Sequence, residues 1–431
     1  MLKFFLLLII LSNLQSCSSI KKFFEEDEVK LIGNRVDVFD KEEIKFVRSN
    51  QTVILQKAEL ITNWSQTNHN KSNHLFHFLS NSSLKFKWKL KVGKGKSRKG
   101  PYIVKPIVHN SNIITIDNDS KIQSREYDNG AIVWTKELVD ENRENIYFSG
   151  GLAAQNDDLF ISTVLGNLYC LDASSGKLKW KKNFLTPISS SPTLSNNKIF
   201  VVTDDNQTFA IDYSSGEKIW THSGNLENIS IIGGVNPAIK ERVVYVTYSS
   251  GEIFALNEDN GSVLWEDNLT SGKIFNKNLI SDIQSPPVIN DELLYVSSFI
   301  NKFAAIRAID GERVWELDIS SLNPITISGD YLFILDVDNR VYCLSKKDGK
   351  IVWIAQLKVK GDDNEIYWVG PILTSNKLIL ASSEGVIISL SPFTGETLSV
   401  IKRNESFTIQ PIQSQKTIFF VTEQGRLIAF E

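Results

Sequence analysis

The chain has 431 residues, 42% of them hydrophobic and 23% charged, with a formal net charge of −3. That length and apolar content suffice for a large core. The near balance of charge excludes the strongly basic surface that phosphate-backbone binding requires. The basic run KGKSRK, Lys94 to Lys99, reads as a solvated loop, with contact to anionic lipid as the alternative.

The first element is a targeting segment. Lys3 supplies a positive start, and Phe4 to Leu11 is an apolar run too short to span a bilayer. Leu14-Gln15-Ser16-Cys17 follows and resembles the lipobox of bacterial lipoproteins, in which the cysteine is lipidated and becomes the mature N-terminus. The alternative is an ordinary cleaved signal with a chance cysteine. By the lipoprotein resemblance, Ser18 after the cysteine implies sorting to the outer membrane. A lipid anchor tethers a protein without making it span.

Residues 18 to about 83 carry EEDE, IGNRVDVF and NWSQTNHNKSNHLFHF. The division expected is a signal peptide over 1–16, a tether over 17–60 and a pre-propeller segment over 61–83. The Trp64 segment is too aromatic for a free linker and is expected to lie ordered against the body.

From residue 84 onward the chain repeats. A Gly-x-x-x-Trp ending recurs at Gly130/Trp134, Gly176/Trp180, Gly216/Trp220, Gly261/Trp265, Gly311/Trp315 and Gly349/Trp353, about 40–50 residues apart. A further copy, Gly395 followed by Ser399, keeps the turn and loses the tryptophan. Each copy reads as four short strands. In one, SSSPTLS, KIFVVTD, QTFAIDY and EKIWTH succeed one another, with alternation and β-branched content and no long helical period. Asp172 or Asp212 can cap the turn before the last strand, and the glycine accepts its positive φ. One indole per outer strand fills the wedge between radially stacked sheets, so the tryptophans are architecture rather than a cofactor box. Cys170 and Cys343 stand where other copies carry Ala210 and Ala255. A small, buried strand position explains both, and copies so far apart do not pair them in a disulfide.

The last copy, FTIQPIQ, KTIFFVTE and RLIAFE, supplies three strands, and the fourth is expected upstream in Leu84–Leu90, with Trp88 at the tryptophan position. The fold class expected is all-β: an eight-bladed β-propeller of four-stranded antiparallel blades over 84–431, the last blade closed by an N-terminal strand.

The unit F/Y-A-L-D-x-x-x-G-x-x-x-W resembles the PQQ-type β-propeller repeat. Eight such blades behind a lipobox resemble the BamB family, lipoproteins of the outer-membrane β-barrel assembly machinery. Ile32-Gly33-Asn34-Arg35-Val36 and Asn63-Trp64-Ser65-Gln66 look like the pre-propeller segments of its alphaproteobacterial branch. The resemblance implies a non-catalytic scaffold without cofactor, lipid-anchored through Cys17 on the periplasmic face of the outer membrane. Its implied partners are a BamA-like barrel subunit, bound through a POTRA domain, and unfolded outer-membrane proteins. The family's Leu-x-Leu-Arg loop falls on Ile229-Ser230-Ile231-Ile232, and its Asp-x-Asp loop on Asp282-Ile283-Gln284. The apolar anchors and Asp282 are kept, whereas Ile232 replaces Arg and Gln284 replaces the second Asp. Strand-end core packing is the competing account of Ile229 and Ile231.

Two other functions use similar rings. A PQQ-type quinoprotein needs a cofactor bed, Ca²⁺ ligands and often an adjacent cysteine pair; the sequence has no such pair and its loops are compact. A sugar- or peptidoglycan-binding propeller would line its funnel with aromatics, and the sequence does not place Tyr248, Tyr367 or Trp368 there. His69, His74 and His77 read as hydrogen-bonding residues of an ordered loop rather than metal ligands, while His109 and His222 stand isolated. No Ser-His-Asp set, glycine-rich phosphate loop or Cys₄ metal pattern is visible.

Overall fold

The structure, a computed structural model, describes residues 51–81, 83–96, 104–138, 150–226, 234–269, 283, 285–299, 301–357 and 366–431. All of them belong to the larger of two units, Phe46–Glu431. Eight antiparallel sheets follow one another in chain order as the blades of a closed propeller. Blade one comprises Ile107–His109, Asn112–Ile116, Lys121–Glu126 and Ile132–Glu137. Blades two to seven repeat that order, starting at Gly150, Thr193, Ala238, Val288, Thr326 and Trp368.

Blade eight has Ile412–Ser414, Thr417–Val421 and Arg426–Phe430, and its fourth strand is Phe86–Lys91, antiparallel to the third with Trp88 opposite Ala429. The closing strand expected at Leu84–Leu90 therefore forms, shifted two residues at its start; Leu84 adopts φ 45°. Blade seven gains a fifth strand, His77–Phe78, parallel to its first.

Burial follows blade geometry. First strands are short and buried throughout or nearly so, and fourth strands such as Leu178–Asn183 alternate between exposed and half-buried. Each tryptophan bridges to the following blade. The indole N–H of Trp88, Trp134, Trp220, Trp265, Trp315 and Trp353 donates to a backbone carbonyl in the third-to-fourth-strand turn next door, at 2.8–3.2 Å. For Trp134, Trp220, Trp265, Trp315 and Trp353 the turn glycine of that neighbour lies on the indole face, whereas Gly130, next to Trp88, meets Leu90. A Cβ on Gly395 would fall 2.7 Å from Trp353 Cε3, at φ +75°, so the position excludes any side chain twice over. Glycine and tryptophan are thus two halves of one inter-blade clasp. Trp134, Trp220, Trp265 and Trp353 are buried; Trp88, Trp180 and Trp315 are half-buried.

Ser399 lacks a tryptophan because the clasp has no second half there. The third and fourth strands of blade eight are not consecutive in sequence, so no glycine turn joins them. Instead Lys85 and Glu431 exchange backbone hydrogen bonds at 2.7 and 2.8 Å, and the Arg403 guanidinium lies 5.1 and 5.2 Å from the Phe86 and Phe430 rings.

Antiparallel order assigns the loops to two faces. Turns after first and third strands lie on one, called here the turn face. Turns after second strands and the blade-to-blade connections lie on the other, the crossover face.

Candidate functional site: the filled axis and the crossover face

The first strand of each blade turns one edge toward the ring axis, where no further strand can pair with it. Unpaired edge N–H groups are costly when buried. Two devices resolve this. Proline, which has no N–H, immediately precedes the first strand in five blades, as Pro106, Pro192, Pro237, Pro287 and Pro411, and stands within it in blade seven, as Pro371. Residues 61–80 supply the remaining acceptors. Trp64 O accepts from Val108 N (3.0 Å), Ser65 O from Ala154 N (2.8 Å) and Gln66 Oε1 from Leu194 N (3.1 Å). Lys71 O, Ser72 O and Leu75 O accept from Ile239 N (2.7 Å), Ile289 N (3.1 Å) and Ile327 N (2.8 Å). His77 and Phe78 pair with Leu373 and Thr374, and Ile61 O accepts from Gln415 N at 2.6 Å. One short segment thus touches all eight blades in turn.

Its side chains cross the axis. Asn68 Nδ2 donates to Asn73 Oδ1 (3.2 Å), and Asn73 Nδ2 reaches the carbonyls of Asn236 (3.2 Å), Pro237 (3.4 Å) and Pro287 (2.9 Å). On the opposite side Lys105 Nζ donates to Asn68 Oδ1 (2.8 Å) and Gln410 Oε1 (3.0 Å). Trp64, 1% exposed, packs among His69 and Phe78. Burial pushes the pKa of His69 and His74 down to about 4, so both are neutral near pH 7. His77 is lowered too, mainly by burial; its Nε2 accepts from the Asn376 N–H at 3.1 Å, while Nδ1 lies 2.7 Å from Gln56 O and so carries the proton. His77 is a hydrogen-bonding residue, His74 lies 3.5 Å from Asn290 Nδ2, and His69 packs by its ring against Trp64, Phe76 and Phe78. Among the described residues no three His, Cys, Asp or Glu side chains form a metal-holding group.

Contacts with the ring begin upstream of residue 61. Val53 is buried, Tyr331 Oη donates to Thr52 O at 2.8 Å, and Gln56 N donates to Ser328 Oγ at 3.0 Å.

The two connections that carry the proposed partner residues leave from and return to the crossover face. Ile229, Ile231, Ile232, Asp282 and Gln284 lie outside the described residues, as do Cys17 and residues 32–36. The supports of both connections are described. Gly224 N donates to Asn206 O (2.9 Å) and Asn225 N to Glu252 Oε2 (2.8 Å), after which Leu226 stands 76% exposed. Gly234, where the chain returns, packs on Ser189 and Ser190, with no room for a Cβ. The second connection starts at Leu269, buried, whose N–H donates to Gly251 O at 3.0 Å. Arg313 pins its base with paired bonds to Asp267 (2.8 and 2.9 Å) and one to Asn268 O (2.7 Å). Ile283, between Asp282 and Gln284, is 1% exposed and belongs to the core around Leu269 and Ile289. Large apolar side chains also stand exposed on neighbouring connections, at Leu185, Leu322 and Tyr367.

Tyr248 and Trp368 are buried. The Tyr248 hydroxyl lies 2.8 Å from Thr208 Oγ1 and 2.9 Å from His222 Nδ1, within the wall between blades three and four. Neither ring lines a funnel. Cys170 and Cys343 are free and buried in blades two and six, and burial pushes the Cys170 thiol up to about 12.

Sequence reasoning missed the axial ring of residues that precede the inner strands. Its signal was present as the recurrent X-Pro step, Lys105-Pro106, Ser191-Pro192, Asn236-Pro237, Pro286-Pro287, Gly370-Pro371 and Gln410-Pro411.

A family model described as outer membrane protein assembly factor BamB matches residues 118–355, more than half of the chain. The chain is 24% identical over 353 residues to the outer membrane protein assembly factor BamB of Shewanella oneidensis, covering 79% of this chain and 87% of that protein. The crystal structure of BamB from Moraxella catarrhalis matches with a TM-score of 0.68 at 18% identity, covering 81% of this chain and 99% of that one. The quinohemoprotein alcohol dehydrogenase of Comamonas testosteroni matches with a TM-score of 0.68 at 12% identity, covering 86% and 80%. The two structural likenesses share only the ring; the family match separates them, and by it the chain belongs to the family of the outer-membrane protein assembly factor BamB.

Proposed function

We propose that this protein is a non-catalytic scaffold of outer-membrane β-barrel assembly. It binds a BamA-like, POTRA-bearing barrel subunit and helps present unfolded outer-membrane proteins for insertion. The contact is made by the crossover face between blades three and five, through Ile229, Ile231 and Ile232 on one connection and Asp282 and Gln284 on the next. A lipid on Cys17 tethers the ring to the periplasmic face of the outer membrane. Among the described residues no helix is long and apolar enough to cross a membrane. The Asn63-Trp64-Ser65-Gln66 segment supports assignment to the alphaproteobacterial branch.

One observation carries the reading. The two connections spring from adjacent blades on one face, from bases fixed by Asn206, Glu252, Arg313 and Ile283. A fixed base holds a docking loop in place at low ordering cost. The axis, where a quinoprotein keeps its cofactor bed, is crossed by Asn68, Asn73 and Lys105 of the chain itself. Fourth-strand edges on the ring's rim offer a secondary route, pairing transiently with client strands.

Affinity capture of the tagged protein from gently solubilised membranes, read by mass spectrometry, tests this. The wild type is expected to bring down a POTRA-bearing barrel protein. Ile231→Asp and Asp282→Ala are each expected to reduce recovery about tenfold or more, with thermal unfolding unchanged. Failure of the anchored wild type to recover any such protein would overturn the role; recovery undiminished by either substitution would move the site.

A further inference from the structure

The residue three positions before Val108 has an equivalent at the start of or just before the inner strand of every blade: Lys105, Gly151, Ser191, Asn236, Pro286, Pro324, Gly370 and Gln410. Only Lys105 of these eight is charged. Its ammonium is withdrawn from solvent, and burial pushes its pKa down to about 7, with no carboxylate among the described residues opposing the shift. Its two described partners, Asn68 Oδ1 at 2.8 Å and Gln410 Oε1 at 3.0 Å, are neutral amide oxygens. An ammonium has three N–H groups, so one donor remains beyond these two bonds.

A second donor faces the same place. Gln410 is 4% exposed, and its Nε2 has no hydrogen-bond partner. The amide orientation is not free, because only its oxygen can accept from an ammonium. With Oε1 fixed 3.0 Å from Nζ, the amide geometry keeps Nε2 within about 5 Å of Nζ. The Thr67 and Thr408 hydroxyls, one residue from Asn68 and two from Gln410, are likewise buried without partners. A buried cation without a counter-charge among the described residues, beside an unused amide donor, is a costly arrangement unless an oxyanion completes it.

We propose that Lys105 Nζ and Gln410 Nε2 form an axial binding site for a small oxyanion, a carboxylate or a phosphate, at the junction of blades eight and one. The ligand's oxygens accept from both donors. Lys105 as a residue keeps partial exposure although its ammonium is withdrawn, so the ligand enters past the side-chain stem. The site is separate from the proposed docking connections at blades three to five, and stands or falls apart from them.

The test is thermal unfolding of the purified full chain at pH 6.5, titrated with acetate, with inorganic phosphate and with chloride at equal ionic strength. Acetate or phosphate is expected to raise the wild-type midpoint saturably, by about 2 °C or more over chloride; whichever acts distinguishes a carboxylate from a phosphate ligand. Gln410→Glu places a carboxylate on Nζ and is expected to abolish the response while the ring stays folded. Lys105→Gln is expected to abolish it too; should that variant not fold, Gln410→Glu carries the test alone. A wild-type midpoint that does not distinguish the three anions, or a response that survives Gln410→Glu, overturns the proposal.

Discussion

Trp353→Ala is expected to destabilise the protein by about 3–5 kcal/mol, read as a lower denaturant midpoint at unchanged slope. The indole is 0% exposed, packs against Phe333 and Gly395, and donates to Pro392 O at 2.9 Å across the blade boundary. Truncation opens a cavity between blades six and seven and leaves that carbonyl without its donor. Trp180→Ala, at the same repeat position but half-buried, is expected to cost distinctly less. Equal losses would mean that burial in the wedge does not set the contribution. The clasp also predicts coupling. A Cβ on Gly395 strikes the Trp353 ring, so the double variant Trp353→Ala with Gly395→Ala should cost less than the two single effects summed.

Deletion of residues 61–80 is expected to prevent folding of the ring. Without them the inner-edge N–H groups of Val108, Ala154, Ile239, Ile289 and Ile327 lose their acceptors, at about 1–3 kcal/mol for each buried group. The sum is of the order of the whole stability of a typical domain, about 5–15 kcal/mol. Buried Trp64, Leu75 and Phe78 would be lost as well. Asn73→Leu removes the donor that serves the carbonyls of Asn236, Pro237 and Pro287 and sets a leucine at φ 55°, a left-handed conformation it disfavours; the lost bonds cost about 1–3 kcal/mol and the backbone strain adds to that. Circular dichroism and denaturant unfolding of both variants decide the matter. A deletion variant that unfolds cooperatively at the wild-type midpoint would make the segment a passive linker.

The ring was legible in the sequence because its determinants are periodic. The turn glycine must have positive φ and no Cβ, and the indole packs beside it, so the pair recurs along the chain and lapses only where blades seven and eight meet. The closing strand was legible because Trp88 keeps the same spacing. The axial segment was only half legible. Its aromatic content marks it as packed, but its bonds to the blades run through main-chain atoms and single amides such as Asn68 and Asn73, which leave no period. Lys105 was missed for a related reason: it is one residue in a ring of eight, and only superposed blades show it as the odd charge. At the docking face the sequence supplied Ile229, Ile231, Ile232, Asp282 and Gln284 by resemblance alone. The supports around them, Glu252 and Arg313, come from other blades and are contacts across long sequence distance.

The claim that the crossover face carries the docking site is tested most directly by site-specific photo-crosslinking in intact membranes. A photoreactive residue is placed at exposed Leu226, at the base of the first connection, and a control at Ile309, 83% exposed in a third-to-fourth-strand turn on the opposite face. The account predicts a cross-link from position 226 to a POTRA-bearing barrel subunit and none from position 309. A cross-link to that subunit from 309 with none from 226 would contradict it.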